Sequence, residues 1–206
     1  VPLFDIHFME LSRIIGNPDT NNIFVFKFLQ TFQSITLFIV PAIVAAWLFS
    51  DNTLGFINAN RKASWITLML VLITLPAAIP LLNKVTELNA NMDLPVALDW
   101  LEKRMIAMEE GAAQLTELFL ASNSTTDLMI NFMMIAILPA IGEEFLFRGV
   151  IQRLFTDWTK NEHIGILITA FLFSFIHFQF YGFIPRFMLG LFFGYLLFWS
   201  SSIWVP

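Results

Sequence analysis

Apolar and polar residues fall along this chain in blocks far longer than a soluble core needs. Residues 1–22 are mixed and read as a polar or interfacial lead-in, with a turn marked by Asn17-Pro18-Asp19. From about Ile23 to Phe49 the chain is apolar, with Lys27 near the start and Asp51 just past the end. That length suffices to cross a bilayer, which takes about 20 residues. Pro41 inside it predicts a kink, a defect that membranes tolerate. Residues 50–64 form a loop carrying Arg61 and Lys62. A second span runs from about Trp65 to Leu82 and contains Pro76 and Pro80.

Residues 84–125 differ in kind. Asp93 is placed to cap a helix with Pro95 near its first turn. Leu101, Met105, Met108, Ala112, Leu115 and Phe119 then recur at helical spacing, which makes one apolar stripe. Glu102, Lys103, Glu109, Glu110 and Glu117 fall largely outside it. This predicts an amphipathic helix packed on the protein or lying in the membrane interface. Nothing in the pattern demands the alternative role of a substrate gate. Asn123-Ser124-Thr125 fits a glycosylation sequon, but the reading we favour is a polar cap before the next helix.

A long apolar stretch follows from about Thr126 to Trp158, with a kink expected at Pro139. It contains Asn131, Glu143, Glu144, Arg148 and Arg153. After the polar turn Lys160-Asn161-Glu162, Ile164 to Phe178 is apolar, with His177 near its end. Gly182 and Pro185 break the chain, and a last apolar helix runs from about Arg186 to Trp199. The pattern therefore predicts an all-α polytopic bundle of about five spans plus one amphipathic helix. It forms a single membrane domain over 1–206, with two spans and the amphipathic helix in 1–125 and the remaining helices in 126–206. No repeat interrupts it.

Composition agrees. The 206 residues are 57% hydrophobic and 13% charged, against about 25% charged in soluble domains. A net charge of −5 argues against nucleic acid as a partner and leaves membrane lipid and a peptide or protein as the expected partners. The absence of cysteine excludes disulfides, thiolate metal sites and a Cys nucleophile. The first 22 residues are too polar for a cleavable signal peptide. A start at Val1 and a stop at Pro206, just after an apolar helix, lead us to expect flanking sequence at both ends.

Charge inside hydrocarbon costs about 2.5–3.5 kcal/mol per residue on insertion scales, so the cluster on the third span needs an explanation. Glu144 and Arg148 share a helix face and are placed to form an ion pair. Such a pair can simply lock helices together, and support is the reading we favour for these two. Glu143 is turned about 100° away by helix geometry and is left without a partner on its own helix. An unpaired intramembrane carboxylate is a functional candidate by default and suits a general base. His177 is its natural second member. Each residue lies about 17 positions from the turn near Lys160, about 25 Å along an antiparallel helix, so both are expected at one level. A Glu/His couple there is suited to polarising a water for attack on a peptide carbonyl. The structural alternative for a lone His is a hydrogen bond to a neighbouring helix. Asn131 is about 18 Å from Glu143 along the axis and is left out of the site. Arg186 is expected to snorkel to the interface, the alternative being that it holds a substrate carboxylate. Glu143, Glu144 and His177 are metal-capable ligand types, but no spacing demands a metal, and neither metal nor cofactor is expected.

Glu143-Glu144-Phe145-Leu146-Phe147-Arg148 matches an E-E-x-x-x-R motif, and Phe173-Ser174-Phe175-Ile176-His177 matches F-x-x-x-H. In this order on adjacent apolar helices, they resemble the CAAX protease and bacteriocin-processing family (CPBP, or Abi) over about residues 126–206. The resemblance implies a metal-independent glutamate-type intramembrane protease in which Glu143 and His177 activate water, with Glu144 and Arg148 supporting. It also implies a site facing the cytosol, a bacterial inner-membrane location, and substrates that are lipidated or membrane-associated peptides. The family's further H-x-x-x-N/D motif, which would hold the oxyanion, is not in this sequence and is expected beyond Pro206. The competing readings are a non-catalytic immunity or scaffold protein and a proton-coupled transporter using Glu143.

Overall fold

The computed structural model describes residues 22–92, 94–121 and 124–206. The lead-in with its Asn17-Pro18-Asp19 turn, the cap assigned to Asp93 and Asn123 of the sequon lie outside the described residues. Among the described residues every regular element is helical. In chain order these are α1 (Ile23–Phe49), α2 (Thr53–Phe56), α3 (Trp65–Ala90), α4 (Asp99–Leu120), α5 (Thr125–Thr159), α6 (Glu162–Phe175) and α7 (Phe183–Ser200). Helices α1, α3, α5 and α7 are long and apolar enough to cross a membrane. The chain is an integral membrane protein.

Two expected boundaries shift. The second span continues past Leu82 to Ala90, because Asn83, Lys84 and Glu87 change the polarity of the helix without breaking it. Lys84 and Glu87 pair across one turn at 2.8 Å. Of the five expected spans, the fourth is the exception. Helix α6 has 14 residues, about 21 Å at 1.5 Å per residue, which falls short of a core about 30 Å thick. It ends at Phe175, and the chain reverses through Phe178, whose φ is +50°. His177 therefore sits in a tight turn beyond α6 rather than on the helix.

Prolines are absorbed where the sequence places them. A π-helical turn at Ile35–Ile39 ends two residues before Pro41, and another at Phe132–Ile137 ends two residues before Pro139. Proline lacks an N–H and crowds the carbonyl one turn back, and the wider turn accommodates both. A third π-helical stretch, Glu144–Ile151, has no proline and coincides with the charged motif. Such insertions gather at functional sites.

The apolar exterior requires lipid. On α3, Ile66, Leu72 and Ile73 are 66–71% exposed, while Val71 on the inner face is 9% exposed. Water would not tolerate so continuous an apolar surface. Inside, α6 packs between α5 and α7. Gly190 and Gly194 of α7, four residues apart, face Ala170 and Ile166 of α6, and a Cβ on Gly194 would stand 2.7 Å from Ile166 Cγ2. Small residues at this spacing let membrane helices touch backbone to backbone. Gly194→Ala is expected to lower stability by about 1–3 kcal/mol through overpacking. Gly111→Ala on α4, where a Cβ meets nothing within 4 Å, should be neutral or gain up to about 1 kcal/mol. Denaturant titration in detergent reads both.

Helix α4 forms, but its inward face is rotated from the expected stripe. Met108 is 47% exposed, whereas Glu102 and Glu109 are half-buried. Leu101, Met105 and Leu115 of the stripe are half-buried, and Phe119 is buried against Phe26 and Met134. Tyr181, on the loop before α7, donates to Glu102 on this inward face. The helix also starts later than a cap at Asp93 implies, with Val96–Leu98 forming a 3-10 turn before Asp99.

Candidate active site

The three C-terminal helices are in register level by level. Nearest the α5–α6 turn, Gly165 lies against Thr156. One turn deeper, Gln152 Nε2 donates to Gly194 O at 3.2 Å, and Gly194 faces Ile166. Deeper still, Arg148 Nη2 donates to Gly190 O at 3.4 Å, and its guanidinium carbon lies 4.5 Å from the Phe173 ring centroid. One further turn along α5 reaches Glu144, with Glu143 beside it, and one further turn along α7 reaches Arg186, while His177 follows Phe173 in the turn beyond α6. Arg186 lies within electrostatic reach of both Glu143 and His177.

The expected ion pair forms, with Arg148 Nη1 at 3.1 Å from Glu144 Oε1. Arg148 is 1% exposed and is enclosed by the Phe173 and Phe193 rings. The aromatic residue of F-x-x-x-H thus packs on the arginine of E-E-x-x-x-R, which ties the two motifs into one structural unit. Phe147 adds an edge-to-face contact with Phe173 at 5.2 Å. Glu143 is half-buried, and among the described residues it has neither a hydrogen bond nor an ion-pair partner.

His177 Nδ1 lies 2.7 Å from Phe173 O. A carbonyl oxygen only accepts, so Nδ1 carries the hydrogen and the neutral ring keeps its lone pair on Nε2. This local bond, one turn back onto the end of α6, sets the ring's tautomer. The following loop is clasped from several sides. Asn89, 1% exposed on α3, donates from Nδ2 to Phe180 O at 2.9 Å and accepts from Ile184 N at 2.8 Å. Ser174 Oγ donates to Phe183 O at 2.6 Å, and Tyr181 donates to Glu102 Oε1 at 3.0 Å.

Arg186 is half-buried. Its Nη2 donates to Gln179 Oε1, and its buried Nη1 has no hydrogen-bond partner. It lies within electrostatic reach of Glu143, His177 and Glu109. Asn89 and Glu109 are the residues the sequence reading missed. Glu109 brings a third carboxylate from α4, with Oε2 buried and unpartnered. Its only sequence signal is its place three residues after Ile106 and four after Met105, on the face that proves to point inward. Asn131, left out of the site, is buried elsewhere and donates to Phe119 O. Among the described residues no three His, Asp or Glu side chains come close enough to hold a metal ion.

Asn89→Leu should strip partners from two buried backbone groups, at about 1–3 kcal/mol each. The expected readout is faster hydrogen exchange at the Ile184 amide and through 178–184, with α5 unaffected.

The comparison with known families now has a geometry to meet. Residues 125–206 match the Rce1-like family, type II CAAX prenyl endopeptidase Rce1-like. Over that segment the chain is similar to that family. The match begins at the first residue of α5 and takes in α6, α7 and both motifs, so the resemblance read from the motifs stands. It supports a membrane endopeptidase. No curated protein and no solved structure matches the chain.

Proposed function

We propose that this Rce1-like chain belongs to an endopeptidase of a bacterial inner membrane that hydrolyses a peptide bond in a lipidated or membrane-associated peptide. The observation that carries this reading is that Arg186 lies within electrostatic reach of both Glu143 and His177, in the segment that matches the family. Glu143 takes a proton from water as the oxygen attacks the carbonyl carbon. His177, with Nδ1 held by Phe173 O, turns Nε2 toward that water as an acceptor. The C–N bond then breaks, and Glu143 returns the proton to the leaving amine. Arg186 supplies positive charge beside both groups, suited to a substrate carboxylate. The Glu144–Arg148 pair holds α5 on α6 and α7 and has no proton to move. Neither metal nor cofactor takes part in this scheme.

The test uses the full-length protein, including whatever follows Pro206, in proteoliposomes with prenylated and unmodified membrane peptides. Mass spectrometry reads the products. Cleavage that His177→Ala lowers about 10²–10⁴-fold, and that persists in chelator, is the expected result. A folded wild type that cleaves nothing across the set points instead to a binding protein. pH-driven flux without cleavage points to a transporter, and loss of cleavage in chelator overturns metal independence.

A further inference from the structure

At the end of the bundle away from His177, Trp47, Trp65, Trp158, Trp199 and Trp204 are 50–77% exposed. These are five of the six tryptophans in the chain. Tryptophan gathers where hydrocarbon meets headgroups, so this ring marks the membrane boundary on that side. Within the ring a polar cavity of about 340 Å³ opens between the ends of α5 and α7, the start of α6 and the segment after α2. Exposed Arg61, Asp157 and Glu162 line its mouth, and buried Arg148 and Gln152 line its floor.

The floor is not self-sufficient. Arg148 and Gln152 are 1% and 4% exposed, yet Arg148 Nε and Gln152 Oε1 have no hydrogen-bond partner. Buried donors and acceptors left open in a roomy polar cavity call for polar contents. At the mouth the charges are mixed. Arg61 has no ion-pair partner among the described residues. Arg153 is already engaged, donating to Phe56 O at 2.6 Å, lying over the Phe56 ring and standing 4.0 Å from Asp157. Glu162 accepts from Thr156 Oγ1 at 3.1 Å and keeps its other oxygen for a ligand. A simple anion would meet two carboxylates here, and a simple cation three guanidiniums. A group carrying both charges a few ångströms apart satisfies both sets.

We propose that this cavity binds the headgroup of a zwitterionic phospholipid with a primary ammonium. Arg61 takes the phosphate, Asp157 and Glu162 take the ammonium, and water fills the floor above Arg148 and Gln152. A primary ammonium brings three N–H donors to the carboxylates, which a quaternary choline cannot. This site includes neither Glu143 nor His177 and does not depend on the protease reading.

The full-length protein is reconstituted in phosphatidylcholine vesicles alone, or with phosphatidylethanolamine or phosphatidylglycerol added. Lipid retained after extraction is read by native mass spectrometry. Phosphatidylethanolamine should be retained over both other lipids, and Arg61→Gln and Glu162→Gln should each lower that preference about tenfold. Lys62→Gln, beside the site but not lining it, should leave it intact. Soluble phosphoethanolamine should compete, which separates headgroup recognition from acyl-chain binding. Asp157→Asn repeats the test should Glu162→Gln fail to fold. Equal retention of all three lipids, preference for phosphatidylglycerol, failure of phosphoethanolamine to compete, or unchanged selectivity in the folded variants would each overturn the proposal.

Discussion

Glu143→Gln should remove peptide cleavage by about 10²–10⁴-fold, the usual contribution of a positioned general base, while leaving the fold intact. The two halves of this expectation rest on one observation. Glu143 has no hydrogen bond or ion pair among the described residues, so glutamine in its place breaks neither. A carboxamide keeps the shape and loses the ability to accept a proton. Unfolding midpoints of wild type and variant should therefore coincide, and kcat should carry the loss. Equal cleavage by the variant would dismiss Glu143 as the base. A large fall in stability would show that the carboxylate was structural.

Arg148→Met should have the opposite profile, with a large loss of stability of about 3–5 kcal/mol, because it strands the charge of Glu144 in the bundle. The side chain is 1% exposed, pairs with Glu144 at 3.1 Å and donates to Gly190 O. It also fills the space between the Phe173 and Phe193 rings. Removing both charges in Glu144→Gln/Arg148→Met should recover much of the loss, since the buried charge that dominates the penalty is gone. Denaturant unfolding in detergent provides the measurement for all three variants. A double variant no more stable than Arg148→Met would assign the loss to packing on the aromatic rings instead.

Much of this molecule is legible in the order of its residues, because a bilayer imposes a simple rule. Each span must be apolar over about 20 residues and must satisfy its own backbone. The blocks around Ile23–Phe49, Trp65–Ala90 and Thr125–Thr159 obey it, and their existence follows from hydropathy alone. Ends are another matter. Helix α3 outlasts its apolar block because Lys84 and Glu87 pair across a turn. Helix α6 stops short of its own, because the chain bends back through Phe178. Hydropathy records neither event. The Glu144–Arg148 pair was legible because both members lie on one helix, where spacing fixes adjacency.

Contacts between helices lie beyond local pattern. Asn89 reads as one of several polar residues at the end of α3, yet it alone holds both Phe180 O and Ile184 N. Glu109 reads as solvated surface until Arg186 is placed near it. The packing of Phe173 on Arg148, and the mixed charges gathered around the cavity at the tryptophan ring, join residues far apart in the chain. The sequence by itself determined that the protein lives in a membrane and that Glu144 and Arg148 pair, because hydropathy marks the spans and helix spacing fixes adjacency on one helix. Only the tertiary structure decided which helix face points inward and what each buried polar group meets. Those depend on the rotation and tilt of one helix against another, set by close packing such as that of Gly190 and Gly194 on α6.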